Sequence, residues 1–139
     1  LSAYLEQHRD AYYAALHALR ESGDPVPWID LFLTSVKVEA ADAVGRAQEI
    51  IGLRNRYLEV AASLGTANAV ALVDLICENP AVTTRSIEGR LGVSRPTALR
   101  LLRRMEERGV LSERQAGARG QRRYVAGEML GVITGGRDE

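Results

Sequence analysis

Thr84-Arg-Ser-Ile-Glu-Gly-Arg-Leu91, Gly92-Val-Ser94, Arg95-Pro-Thr-Ala-Leu-Arg-Leu-Leu-Arg-Arg-Met105 is the stretch on which the fold turns. Two segments of helical apolar spacing flank a three-residue break. Ile87 and Leu91 set one face of the first segment on a core. Gly92 lets the chain turn where a Cβ would clash, and Val93 plugs the corner between the helices. Ser94 is placed to cap the second helix and to leave its N-terminal N–H groups outward, where a phosphate can sit. Around that helix, Ala98, Leu101, Leu102 and Met105 share the core face. Pro96, Arg100, Arg103 and Glu107 lie opposite, with Arg95, Thr97 and Arg104 on the flanks. Leu99 falls between the faces and receives no role.

Outward from this unit the punctuation is regular. Upstream, Gly65 and Thr66 mark a boundary, residues 67–78 read as a helix stopped by Asn79-Pro80, and Thr83-Thr84 opens the next helix. Downstream, Gly109 ends the third helix and Val110-Leu111 begins a strand. Gly117 and Gly120 mark a loop over 115–121. Residues 122–126 return as a strand, and residues 128–133 form a short helix. Three helices followed by a β-hairpin is the layout of a winged helix-turn-helix.

Residues 1–64 read differently. Ser2 is placed to cap a helix on which Leu5, His8, Tyr12, Ala15 or Leu16, and Leu19 recur at three-to-four spacing until Gly23. Asp24 and Pro25 then start a long helix. Its apolar seam alternates by four and three through Ile29, Leu33, Val36, Ala40, Ala43, Ala47, Ile50, Tyr57, Ala61 and Leu64, broken only by Arg54. About 38 such residues span about 57 Å. Gly45 and Gly52 each cost about 1 kcal/mol against Ala there and permit a break. Such a seam is either ordinary core or a dimer interface. The predicted chain is therefore mainly α: long N-terminal helices over 1–64, then a winged helix-turn-helix over 65–139.

Composition narrows the function. A single Cys, Cys77, excludes a disulfide framework, and two His nine residues apart make no metal site. Neither a signal peptide nor an apolar run of membrane-spanning length is visible, so a cytoplasmic location and no membrane partner are expected. The chain starts at Leu1 rather than Met, which suggests processing or a piece of a longer protein. Formal charge is zero, from 18 basic and 18 acidic side chains, but the balance is a sum of opposites. Residues 1–64 are net −3, residues 65–139 net +3, and residues 83–124 hold eleven Arg against four Glu. That excess coincides with the turn, the helix and the hairpin, which a merely solvated charged face does not require.

Double-stranded DNA is the partner this pattern suggests. Arg95 and Arg100 suit bidentate contacts to guanine, and Thr97 suits a thymine methyl. Thr84, Ser94, Arg103 and Arg104 lie where phosphates pass. The hairpin adds Arg114, Arg122, Arg123 and, at its tip, Arg119, a residue favoured in narrow minor grooves. A protein-docking winged helix and a stand-alone dimeric regulator stay open beside this reading.

A wider resemblance covers nearly the whole chain. Leu1-Ser-Ala-Tyr-Leu-Glu-Gln-His-Arg-Asp-Ala-Tyr-Tyr13 followed by Trp28-Ile-Asp-Leu-Phe-Leu33 resembles the C-terminal helices of the Fic (filamentation induced by cAMP) family. Glu78-Asn-Pro80 through Leu91-Gly-Val-Ser-Arg-Pro-Thr97, with Arg122-Arg-Tyr-Val-Ala126, resembles the winged helix appended to many of its members. The resemblance implies a parent that uses ATP to transfer AMP to protein hydroxyls, with a protein target or the Fic core as a further partner of this chain. The family's His-Pro-Phe-x-x-Gly-Asn-Gly-Arg type of loop is absent, so no catalytic residue and no cofactor are assigned here. Thr84-Arg-Ser-Ile-Glu88-Gly89 matches the family's inhibitory-helix pattern. That helix is committed to packing, and the match is read as coincidence.

Overall fold

Seven helices and three strands follow one another in the computed structural model, which describes residues 1–116 and 121–135. The order is α1 (Ser2–Gln7), α2 (Arg9–Ser22), α3 (Val26–Ser63), α4 (Ala67–Glu78), β1 (Ala81–Thr83), α5 (Thr84–Leu91), α6 (Arg95–Glu107), β2 (Ser112–Ala116), β3 (Gln121–Val125) and α7 (Gly127–Thr134). The mainly α architecture with a winged helix-turn-helix is as the sequence predicts.

The chain divides into two compact units, Leu1–Ala47 and Gln48–Glu139, and the division falls inside α3. The boundary expected between residues 64 and 65 is instead the end of that helix. The reason lies in the core: Leu53, Tyr57, Ala61 and Leu64 are buried in the same cluster as α4, α5 and α6. The last turns of α3 thus belong to the second unit.

In the first unit, the single opening helix expected from the periodicity is two. His8 breaks it at φ −111°, ψ 40°, where its backbone N–H donates to the Tyr4 carbonyl and its ring stacks on Tyr4 at 4.1 Å. Leu1 rather than Ser2 occupies the cap position, with no side-chain hydrogen bond. The Asp24 carboxylate accepts the Val26 N–H at 3.0 Å, steering the chain into α3. The face of α3 that meets α2 is the row of Trp28, Leu31 and Ser35. Trp28 lies edge-on to Tyr12 at 5.7 Å, and Ser35 is fully buried with its hydroxyl donating to the Phe32 carbonyl. The four-three seam is not that face. Ile29, Leu33 and Val36 are 46%, 57% and 42% exposed. The seam becomes core only in the second unit, where Tyr57, Ala61 and Leu64 are buried, and Arg54 leaves it to pair with Asp74 of α4 at 2.8 Å. The helix runs unbroken through Gly45 and Gly52.

The second unit is built as the turn residues dictate. Thr66 caps α4, and its hydroxyl accepts the Ala69 N–H. Thr83 and Ser86 form a reciprocal capping box at the start of α5. Gly92 sits at φ +63°, a left-handed conformation that costs a non-glycine residue roughly 1–2 kcal/mol. Ala98, Leu102 and Met105 are fully buried, and Leu101 nearly so, on the predicted face of α6. Val110 and Leu111 are buried ahead of the strand rather than inside it, and β2 starts at Ser112. The sheet has the order β1-β3-β2 with every pair antiparallel. β1 was not anticipated: three residues after Pro80, the last of them the helix cap Thr83, are too few for a periodicity signal. It pairs Val82 with Tyr124 and closes the core beneath α5.

Candidate nucleic-acid interface

A groove of about 640 Å³ opens between α5, α6 and β3. α5 lines it with Thr84, Arg85 and Glu88, next to the Thr83 cap. α6 contributes Arg95, Leu99 and Arg103, one residue per turn along a single stripe. The hairpin adds Arg122. Four guanidinium groups from three elements therefore meet at one concavity, with Glu88 as a carboxylate among them. Arg85, Arg95 and Arg103 have no ion pair among the described residues. Arg122 is held by Glu113 at 3.3 Å, and the buried Tyr124 hydroxyl donates to the other oxygen of that carboxylate at 3.5 Å. Burial and the Glu113 charge push the Tyr124 hydroxyl upward, so it stays a donor at neutral pH. This anchor ties the two strands of the hairpin to each other, and Glu106 of α6, which accepts the Glu113 N–H at 2.8 Å, ties the root of the hairpin to that helix.

The start of α6 differs from expectation in one detail. Ser94 is the cap residue by backbone geometry, but its hydroxyl lies 3.0 Å from the Thr97 hydroxyl and caps no N–H group. The pairing holds Thr97 half-buried, and the first turn of α6 carries no side-chain cap. Pro96 has no N–H, which leaves those of Arg95 and Thr97 as the donors of that turn without a helical partner.

The remaining candidates are spread around this groove. Arg100 is exposed on α6, one stripe away from Arg95 and Arg103, and Arg104 is half-buried further along; neither lines the groove. Arg123 goes to the opposite face of the sheet from Arg122, as strand alternation requires. There it lies directly across from Arg114 and lines a second concavity beside the Arg90–Glu78 ion pair. Like charges placed directly opposite on paired strands are unfavourable. Arg119 lies outside the described residues. Thr84, Arg95, Arg103 and Arg122 are thus brought together, whereas Thr97, Arg100, Arg104 and Arg123 are not. Sequence reasoning missed Arg85 and Leu99. Arg85 stood in the charge count, and its place in the first turn after a helix cap was the available signal. Cys77 is half-buried against the core, and burial raises its thiol above the usual range, which keeps it a poor nucleophile.

No described helix is long and apolar enough to cross a membrane. Residues 59–112, from the end of α3 to the first residue of β2, match the family model described as winged helix-turn-helix DNA-binding. A comparison with curated proteins finds no match. The family match covers the helices that build the groove and supports a DNA-binding module. It does not bear on the Fic resemblance.

Proposed function

We propose that the second unit binds duplex DNA with α6 in the major groove and the β2–β3 hairpin beside it. The observation that supports this most is the convergence of Arg85, Arg95, Arg103 and Arg122 on one groove, the first three of them within the segment that matches a DNA-binding model. Arg95, Thr97 and Arg100 read base edges from the N-terminal half of α6. Thr84, Ser94, Arg103 and Arg104 hold phosphates, and Arg119, Arg122 and Arg123 add contacts from the hairpin. The test is a titration of the chain with random duplex DNA across a salt series. Binding at low salt that falls steeply as salt rises is the expected result. No binding at low salt refutes the reading, because an unmasked basic face has non-specific affinity there.

The first unit has a function of its own in this reading. The exposed row of Ile29, Leu33 and Val36 continues a four-three spacing suited to helix pairing, and a second copy of the chain is the proposed cover. Sedimentation of the wild type and Leu33→Glu tests it, with self-association expected only for the former. The Fic resemblance adds a coarser proposal, that a whole protein containing this chain transfers nucleotide to protein hydroxyls and is directed by the winged helix. A Gly-Asn-Gly-Arg loop encoded upstream of Leu1 is the observation to seek.

A further inference from the structure

We propose that Leu99 is a specificity residue that recognises the 5-methyl group of a thymine, about two base pairs from the base read by Arg95. The inference rests on the DNA-binding reading above and goes beyond it in naming a base and an atom.

Leu99 does not belong to the core face of α6. Ala98, Leu101, Leu102 and Met105 fill that face, and Leu99 packs against the cluster along one edge only. Its other edge lines the groove between Arg95 and Arg103, and it is the one all-hydrocarbon side chain among the described lining residues. A position needed only for solvation in such a stripe is better served by a polar side chain. A half-buried leucine, held by the core and presented among guanidinium groups, suits a target that is apolar yet sits within a field of negative charge. The thymine methyl in the major groove is such a target. Spacing fixes the relation to Arg95. Four residues of helix rise about 6 Å, and base pairs lie about 3.4 Å apart. A guanine under Arg95 therefore places the Leu99 contact about two pairs along.

The experiment uses the full chain and a site selected from a random duplex library. Each thymine of that site is replaced in turn by deoxyuridine, which removes the methyl group alone. One thymine per bound unit is expected to weaken binding about fourfold, the equivalent of burying about one methyl group. Leu99→Ala is expected to bind the thymine and uracil duplexes equally, and Leu99→Met to keep the preference. Affinity of all three proteins for random duplex at low salt is expected to be alike, which also shows that the variants are folded. Three outcomes overturn the proposal while leaving DNA binding intact: no thymine responds, the response persists in Leu99→Ala, or the responding thymine is adjacent to the Arg95 base or a full turn away. Failure of the wild type to bind random duplex at low salt refutes the DNA-binding reading itself, and this inference with it.

Discussion

Leu1–Ala47 and Gln48–Glu139 are both rich in amphipathic helix, yet they bury their apolar residues to very different degrees. The first unit buries only Ala15 and Ser35, while Ile29, Leu33 and Val44 stand about half exposed. The second encloses a continuous cluster that includes Leu72, Ile76, Ile87, Leu102, Met105 and Tyr124, all fully buried. The difference lies in geometry rather than composition. Helices α2 and α3 bury only the stripe along which they face each other, whereas in the second unit α4, α5, α6 and the sheet close around one volume. A seam read from the sequence shows that a helix has an apolar side. It does not show that anything in the same chain covers that side.

The largest effect that tests this contrast is a core truncation against an exposed one. Leu102→Ala is expected to destabilise the second unit by about 2–5 kcal/mol, since it removes a fully buried side chain from a filled cluster. Leu33→Ala, at a side chain 57% exposed, is expected to change the stability of the monomer by about 0.5 kcal/mol or less. Urea unfolding at low protein concentration measures both. A large loss from Leu33→Ala under those conditions would mean that the row is covered within the chain.

Next in size is a change in recognition. Arg100→Ala is expected to cost about 1–3 kcal/mol on a selected site and to relax the preference at one base pair. Competition between the selected site and a single-base variant reads this directly. Equal discrimination by wild type and variant would remove Arg100 from the base-reading set and leave that task to Arg95, Thr97 and Leu99.

These two tests separate what the sequence disclosed from what it did not. Gly92 and the apolar spacing of Ile87, Ala98, Leu102 and Met105 were legible because each is a local rule: a backbone conformation, or a period of 3.6. The cap at Thr83 was legible for the same reason, whereas Thr66 was read only as a boundary and its cap on α4 emerged with the fold. The groove was not, because it depends on how α5, α6 and β3 meet, and no local rule sets Arg85 beside Arg122. A helical wheel sorts Arg100 and Arg103 onto one exposed side, but packing assigns them to different stripes. Charge counting grouped Arg122 with Arg123, although the pleat turns neighbours to opposite faces.

A smaller effect follows from that last point. Arg122→Ala and Arg123→Ala are each expected to weaken binding to all duplexes and to reduce the magnitude of the salt slope by about one where a phosphate contact is lost. The groove faces DNA in the proposed reading, so Arg122 is expected to carry more of this change than its neighbour. A reversed order would place the Arg114–Arg123 face of the hairpin against the duplex instead. The measurement is the dependence of log affinity on log salt for the two variants.

The smallest expected effect concerns Gly45, and it returns to the first unit. Gly45 lies in the part of α3 that belongs to the first unit. A Cβ added there would find no atom within 4 Å, and Gly52 in the second unit has the same open surroundings. Alanine is favoured over glycine in a helix interior by about 0.5–1 kcal/mol, through the smaller entropy loss on ordering. Gly45→Ala and Gly52→Ala are therefore both expected to stabilise α3 slightly, measured as helicity and midpoint in thermal unfolding followed by circular dichroism. Their comparison is informative because backbone entropy acts alike at the two sites and both have open surroundings, so equal gains are expected. A gain at Gly52 with a loss at Gly45 would mean that α2 or another surface lies closer to Gly45 than 4 Å in solution, and that the first unit owes more of its stability to close helix approach than its two buried residues account for.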